Sequence, residues 1–127
     1  MGLFSFNSAA KTSLPWISIT SVEQLKEIIE SSSQKPILIF KHSARCGVSS
    51  AVKSQFESSW TSQNDLCEIY YLDLLAYRAI SNEIERITGV EHQSPQAIVM
   101  DQNKVIYAAS HSSIDATEIE NLLKTLY

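Results

Sequence analysis

The chain has 127 residues, of which 44% are apolar and 19% charged, enough to build one self-sufficient core and too apolar for a disordered or fibrous chain. Ten Lys and Arg stand against fourteen Asp and Glu, a formal net charge of -4, which argues against nucleic-acid binding and a hold on anionic lipid. No run approaches the roughly 18 apolar residues of a membrane span, and two cysteines do not make a disulfide framework, so a reducing, cytoplasmic setting is expected.

The opening MGLFSFNSAAKTSLPW lacks the basic start and apolar stretch of a signal peptide. Phe6 also stands where a myristoylation pattern needs Ser or Thr. Residues 1–15 are expected to form a loose arm ahead of a domain over 16–127. Trp16 to Ile19 is a short candidate strand. Thr20 and Glu23 then read as a capping box for a helix carrying Val22, Leu25, Ile28 and Ile29, ended by the Ser31-Ser32-Ser33 run.

Pro36 to Phe40 is a continuous apolar run, as in a strand buried on both faces. It breaks into polar Lys41 to Arg45, then Cys46-Gly47-Val48-Ser49. Val48, Val52, Phe56 and Trp60 recur at steps of four, which predicts one apolar helix face. Leu66 to Leu72 reads as a strand, and a helix with Ile80, Ile84 and Ile87 stops at Gly89, a natural left-handed cap. Ala97 to Met100 and Val105 to Ala108 form a hairpin around Asp101 to Lys104. The last helix has Asp115 as N-cap with Glu118 three on, an Ile114/Ile119 staple, and an apolar face of Ile119, Leu122, Leu123 and Leu126. Alternating helices and apolar strands imply a parallel sheet covered on both faces, with antiparallel pairing added by the hairpin.

This β-α-β-α-β-α-β-β-α order, with a cysteine after the second strand and a proline before the hairpin, resembles thioredoxin over residues 16–127. The resemblance implies an α/β fold with a central mixed sheet flanked by helices. Within that superfamily the run from Ile37 to Ser49, followed by Ser94-Pro95, is similar to the monothiol bacilliredoxin (YtxJ-like) family. Members carry a Lys-His-Ser-like stretch, one cysteine, and a serine three residues later. Gly47 stands where the familiar pattern has proline.

Cys46 draws attention without any family. Thiols react as thiolates, and the free amides and positive dipole end of a helix start favour the anion. Arg45 beside it pushes the same way, as do Lys41 and His42 if they face the sulfur. Gly47 leaves room for a disulfide partner, and Ser49, one turn on, is within reach of the sulfur as a hydrogen-bond partner. Because Ser49 replaces a resolving thiol, a mixed disulfide at Cys46 must wait for an outside thiol. The bland alternative is a buried thiol packing as a small hydrophobe, the reading that fits Cys67 in its apolar strand.

By resemblance Ser94 and Pro95, the latter in a cis bond, face Cys46 and present backbone to a substrate; the plain alternative is a strand-entry proline. His42, His92, His111 and the cysteines lack metal-site spacing, and the histidines read as solvated, with no metal expected. Cys46 and Ser49 are therefore the candidate catalytic residues, and Arg45, Gly47, Ser94 and Pro95 the candidate substrate-binding ones. The resemblance implies removal of bacillithiol from S-thiolated client proteins, with this low-molecular-weight thiol as co-substrate and no bound cofactor. Two other readings stand beside it. Cys46-Gly47-Val48-Ser49 is also similar to the Cys-Gly-Phe-Ser run of monothiol glutaredoxins, which implies an iron–sulfur carrier, although Ala108 to His111 stands near the place of their Gly-Gly loop. A redox-silent docking module is the third.

Overall fold

Two strands at the centre of the sheet explain the architecture. In β2 (Ile37–His42), Ile37 and Ile39 enter one apolar cluster and Leu38 and Phe40 the other. In β4 (Gln96–Asp101), Ile98 and Met100 face the first cluster, Ala97 and Val99 the second. Successive strand side chains point to opposite faces, so an unbroken apolar run demands cover on both. The structure, a computed structural model, describes residues 14–43 and 45–126.

The elements run β1 (Ile17–Ser18), α1 (Val22–Ser31), β2, α2 (Gly47–Ser59), β3 (Glu68–Asp73), α3 (Arg78–Thr88), β4, β5 (Lys104–Ser110), a 3₁₀ turn (His111–Ser113) and α4 (Ala116–Lys124). The sheet order is β1-β3-β2-β4-β5, with β1/β3 and β2/β3 parallel and β2/β4 and β4/β5 antiparallel. This is the expected mixed sheet in the expected order. Leu25 and Ile28 of α1 and Ile80 and Ile84 of α3 cover one face; Phe56 of α2 and Ile119 and Leu123 of α4 cover the other. Of the expected arm, residues 1–13 lie outside the described residues, while Leu14 packs onto the second cluster, as does Trp16 at the start of the expected domain.

Local chemistry sets the element ends. Gly89 caps α3 at φ 74, and Asp115 accepts from Glu118 N–H to start α4, both as the sequence predicts. Gln102 and Asn103, at φ 54 and 63, make the two-residue hairpin turn. Four expectations need correction. The cap of α1 is Ser21, accepting from Gln24 N–H at 3.0 Å, while the Gln24 side chain accepts from Thr20 N–H at 2.7 Å. The strand after Leu66 begins at Glu68, leaving Cys67 just ahead of it. Leu126 lies exposed past the end of α4. Most consequential for the site, β2 does not break at Phe40 but carries Lys41 and His42, both buried, into its last turn of pairing.

Candidate thiol site

Parallel β2 and β3 end together, with His42 opposite Asp73. Antiparallel β4 begins beside them, with Lys41 opposite Gln96. The loop after β2 and the Ser94-Pro95 bond before β4 therefore emerge at one end of the sheet, and that bond is cis. Cys46 is exposed there and takes the N-cap position of α2 in extended backbone (φ -97, ψ 120). Its N–H donates to Ser43 O at 3.1 Å, closing a tight turn, and its own C=O receives Ser50 N–H at 3.0 Å. No side chain caps this helix, that of Cys46 included, and no acidic residue stands in its first turn, so the positive end of its dipole is left without a competing anion.

Arg45, Cys46, Gly47 and Val48 are all exposed. A Cβ added to Gly47 would meet nothing within 4 Å, so the surface beside the sulfur is open. Val48 is 62% exposed and does not join the predicted apolar face, which begins at half-buried Val52. Val48 lies on the open side of the first turn of α2, away from the sheet. Arg45 borders a cleft of about 500 Å³ whose other walls are Asp73, Leu75 and Ala76.

Ser49 is wholly buried, and its hydroxyl is engaged away from the sulfur. Its Oγ lies 2.7 Å from His42 Nδ1 and accepts the Ser43 backbone N–H at 3.1 Å. His42, expected to be solvated, is thus an interior side chain on the α2 face of the sheet, its ring 5.8 Å from that of Tyr71. Burial, then Lys53, holds its imidazole below its ordinary value, partly offset by Asp73, Glu57 and the backbone of Ser49. Lys53 lies 2.8 Å from Glu57 and 5.4 and 5.2 Å from the ring centres of Trp16 and Tyr71. Trp16 Nε1 also donates to Glu57 at 2.8 Å, tying α2 to the segment before β1. Lys41 points the other way, its Nζ 3.2 Å from Gln96 Oε1 and influenced by Glu85 and Arg78 of α3. It is not a neighbour of the sulfur.

Ser94 is half-buried, with a buried Oγ that has no hydrogen-bond partner, and Pro95 is buried, its C=O receiving His111 N–H at 3.0 Å. His92 meets Ser81 at 3.1 Å and is partly buried, whereas His111 is exposed. Among the described residues no three His, Cys, Asp or Glu side chains converge as metal ligands, and no helix is long and apolar enough to cross a membrane.

Cys67 is fully buried, and burial pushes its thiol up to about 12. It precedes Glu68, which pairs with Ile37 at the start of β2, whereas Cys46 follows the end of that strand. Six residues at about 3.3 Å each separate the two ends by roughly 16–17 Å, far beyond the ~7 Å between Cα atoms that a disulfide tolerates.

Among solved structures, the chain is similar to a protein with a thioredoxin fold, assigned provisionally as an oxidoreductase. The TM-score is 0.71 at 26% identity, over 84% of this chain and 91% of the other. A poplar thioredoxin h mutant aligns with TM-score 0.66 at 13% identity over 91% and 85%, and Fasciola hepatica thioredoxin with 0.63 at 12% over 85% and 96%; at such identities these two establish the fold alone. The family model for monothiol bacilliredoxin BrxC matches residues 17–119, a span from β1 into the last helix that takes in the whole sheet end just described. The chain therefore belongs to the monothiol bacilliredoxin family and has a thiol–disulfide redox role on a thioredoxin fold.

Proposed function

We propose that the protein removes bacillithiol from S-thiolated client proteins by a single-cysteine exchange at Cys46. The observation that carries the reading is the contrast between the two sulfurs: Cys46 is exposed at the uncapped start of α2, and Cys67 is fully buried at the far end of β3. The Cys46 thiolate attacks the bacillithiol sulfur of the client's mixed disulfide; the old S–S bond breaks and the client leaves as its thiolate. A second thiolate then attacks the bacillithiol sulfur held on Cys46, forming a small disulfide and returning Cys46 as thiolate. Ser49 offers no second thiol, so this last step needs an outside molecule. Open space over Gly47 suits the approach of a disulfide. Arg45, at the mouth of the cleft with Asp73, Leu75 and Ala76, provides a cation for an anionic end of the small thiol. Ser94 and Pro95 lie at the same sheet end, where an extended client segment would run.

Two free cysteines suit a reducing compartment such as the cytoplasm, with bacillithiol as co-substrate. The test is to incubate reduced protein with oxidised bacillithiol, take its intact mass, and repeat with Cys46→Ser. One adduct, absent from the variant and reversed by free thiol, is expected. No adduct, with Cys46 resisting alkylation at neutral pH, would refute the proposal and leave a docking module. A coloured protein after anaerobic treatment with iron and sulfide would instead favour an iron–sulfur carrier.

A further inference from the structure

β2 is apolar from Ile37 to Phe40, then turns polar at Lys41 and His42 without leaving the interior, only 6% of His42 being exposed. Burying an imidazole and a hydroxyl costs free energy that an apolar pair would not. What the pair obtains is a connection. The Ser43 backbone N–H can only donate, so Ser49 Oγ accepts from it at 3.1 Å. The remaining hydroxyl proton of Ser49 then has His42 Nδ1, 2.7 Å away, as its acceptor. This assignment sets no donor against a donor and places the ring proton on Nε2, a tautomer inferred from the network. Ser43 in turn accepts the Cys46 N–H at 3.1 Å. A continuous line of hydrogen bonds thus runs His42–Ser49–Ser43–Cys46, from the sheet to the thiol loop.

We propose that His42 is a positioning residue for thiol exchange, holding Cys46 at the N-cap of α2 through Ser49 and Ser43. This rests on Cys46 being the exchanging thiol. Without the His42 bond, Ser49 is free to rotate, the Ser43 amide loses its anchor, and the turn that holds the Cys46 backbone at the helix start opens. Ser49 thus acts through the loop and not by contact with sulfur.

The test measures the second-order rate of Cys46 with iodoacetamide at pH 7, and of adduct formation with oxidised bacillithiol, in four variants alongside circular dichroism and thermal melts. His42→Phe keeps a ring against Tyr71 but has no acceptor. His42→Asn restores an acceptor near the position of Nδ1. Ser49→Ala removes the link, and His42→Phe with Ser49→Ala completes a cycle. His42→Phe and Ser49→Ala are each expected to slow both rates about tenfold, equivalent to about 1.4 kcal/mol. The double variant is expected to match the single ones, because both cut the same line, and His42→Asn to recover most of the rate. Melting temperatures that fall while rates stay at the wild-type level would overturn the proposal, as would additive losses or an Asn variant as slow as Phe. If the wild-type protein itself forms no adduct, the exchange reading fails, and the positioning role falls with it.

Discussion

Replacing Lys41 with methionine tests the energetics of the site's far side. The ammonium lies on a fully buried residue of β2, with Gln96 Oε1 at 3.2 Å. Burial pushes it from 10.5 to about 8, against the attraction of Glu85 and with Arg78 adding to the fall. That drop corresponds to at most about 3.4 kcal/mol of destabilisation at pH 7, where the group is charged in both folded and unfolded chains. Methionine keeps the stem and removes the charge, but it strips Gln96 Oε1 of its donor, which costs about 1–2 kcal/mol. Lys41→Met should therefore stabilise the protein by up to about 1.4–2.4 kcal/mol at pH 7, the difference between those two terms. The sign with pH follows from the lowered folded value. The penalty is complete below about 8 and is relieved as pH rises toward 10.5, so the variant's advantage shrinks over that window and reverses near its top. The Cys67 thiol, raised to about 12, weakens both proteins above about pH 9 by linkage, so it cancels in the difference. Urea unfolding under reducing conditions at pH 7, 8.5 and 10 measures this. A variant that is less stable at pH 7, or a difference flat with pH, would refute the reasoning.

Two further outcomes are expected. Gly89→Ala places a Cβ in open space but at φ 74, so strain alone acts and stability falls by about 1 kcal/mol, measurable as a lower urea midpoint with an unchanged slope. His42 and His92 are both held below 6.5, by burial first, so the unfolded chain binds more protons and stability declines as pH falls below about 6.5. His42→Asn should flatten that decline between pH 7 and 5, and an unchanged slope would show that His42 does not carry it.

The sheet was legible because its information is local. Ile37 to Phe40, the Gly89 stop, the Asp115 cap and the Asp101–Lys104 turn each announce themselves within a few residues. The site was legible in its parts: Cys46 at a helix start and Ser94-Pro95 ahead of the hairpin. What escaped is whatever depends on distant partners. Lys41 and His42 look like the end of a strand because they are polar, yet Gln96 and Ser49 satisfy them inside. The available signal was the two-residue period, which puts His42 on the face of Leu38 and Phe40, with a serine seven residues later. Val48 keeps helical step with Phe56, but periodicity does not say where the sheet beneath it stops.

The position of Cys67 fixes what a disulfide-oxidised, folded chain can look like. With the second sulfur roughly a strand's length from Cys46 and enclosed on all sides, oxidation cannot be stored as an internal bridge that merely loses hydrogen. Every oxidised molecule must be heavier than the reduced one by whatever it carries. A population drawn from its surroundings then carries, as added mass, whichever disulfides have exchanged with it.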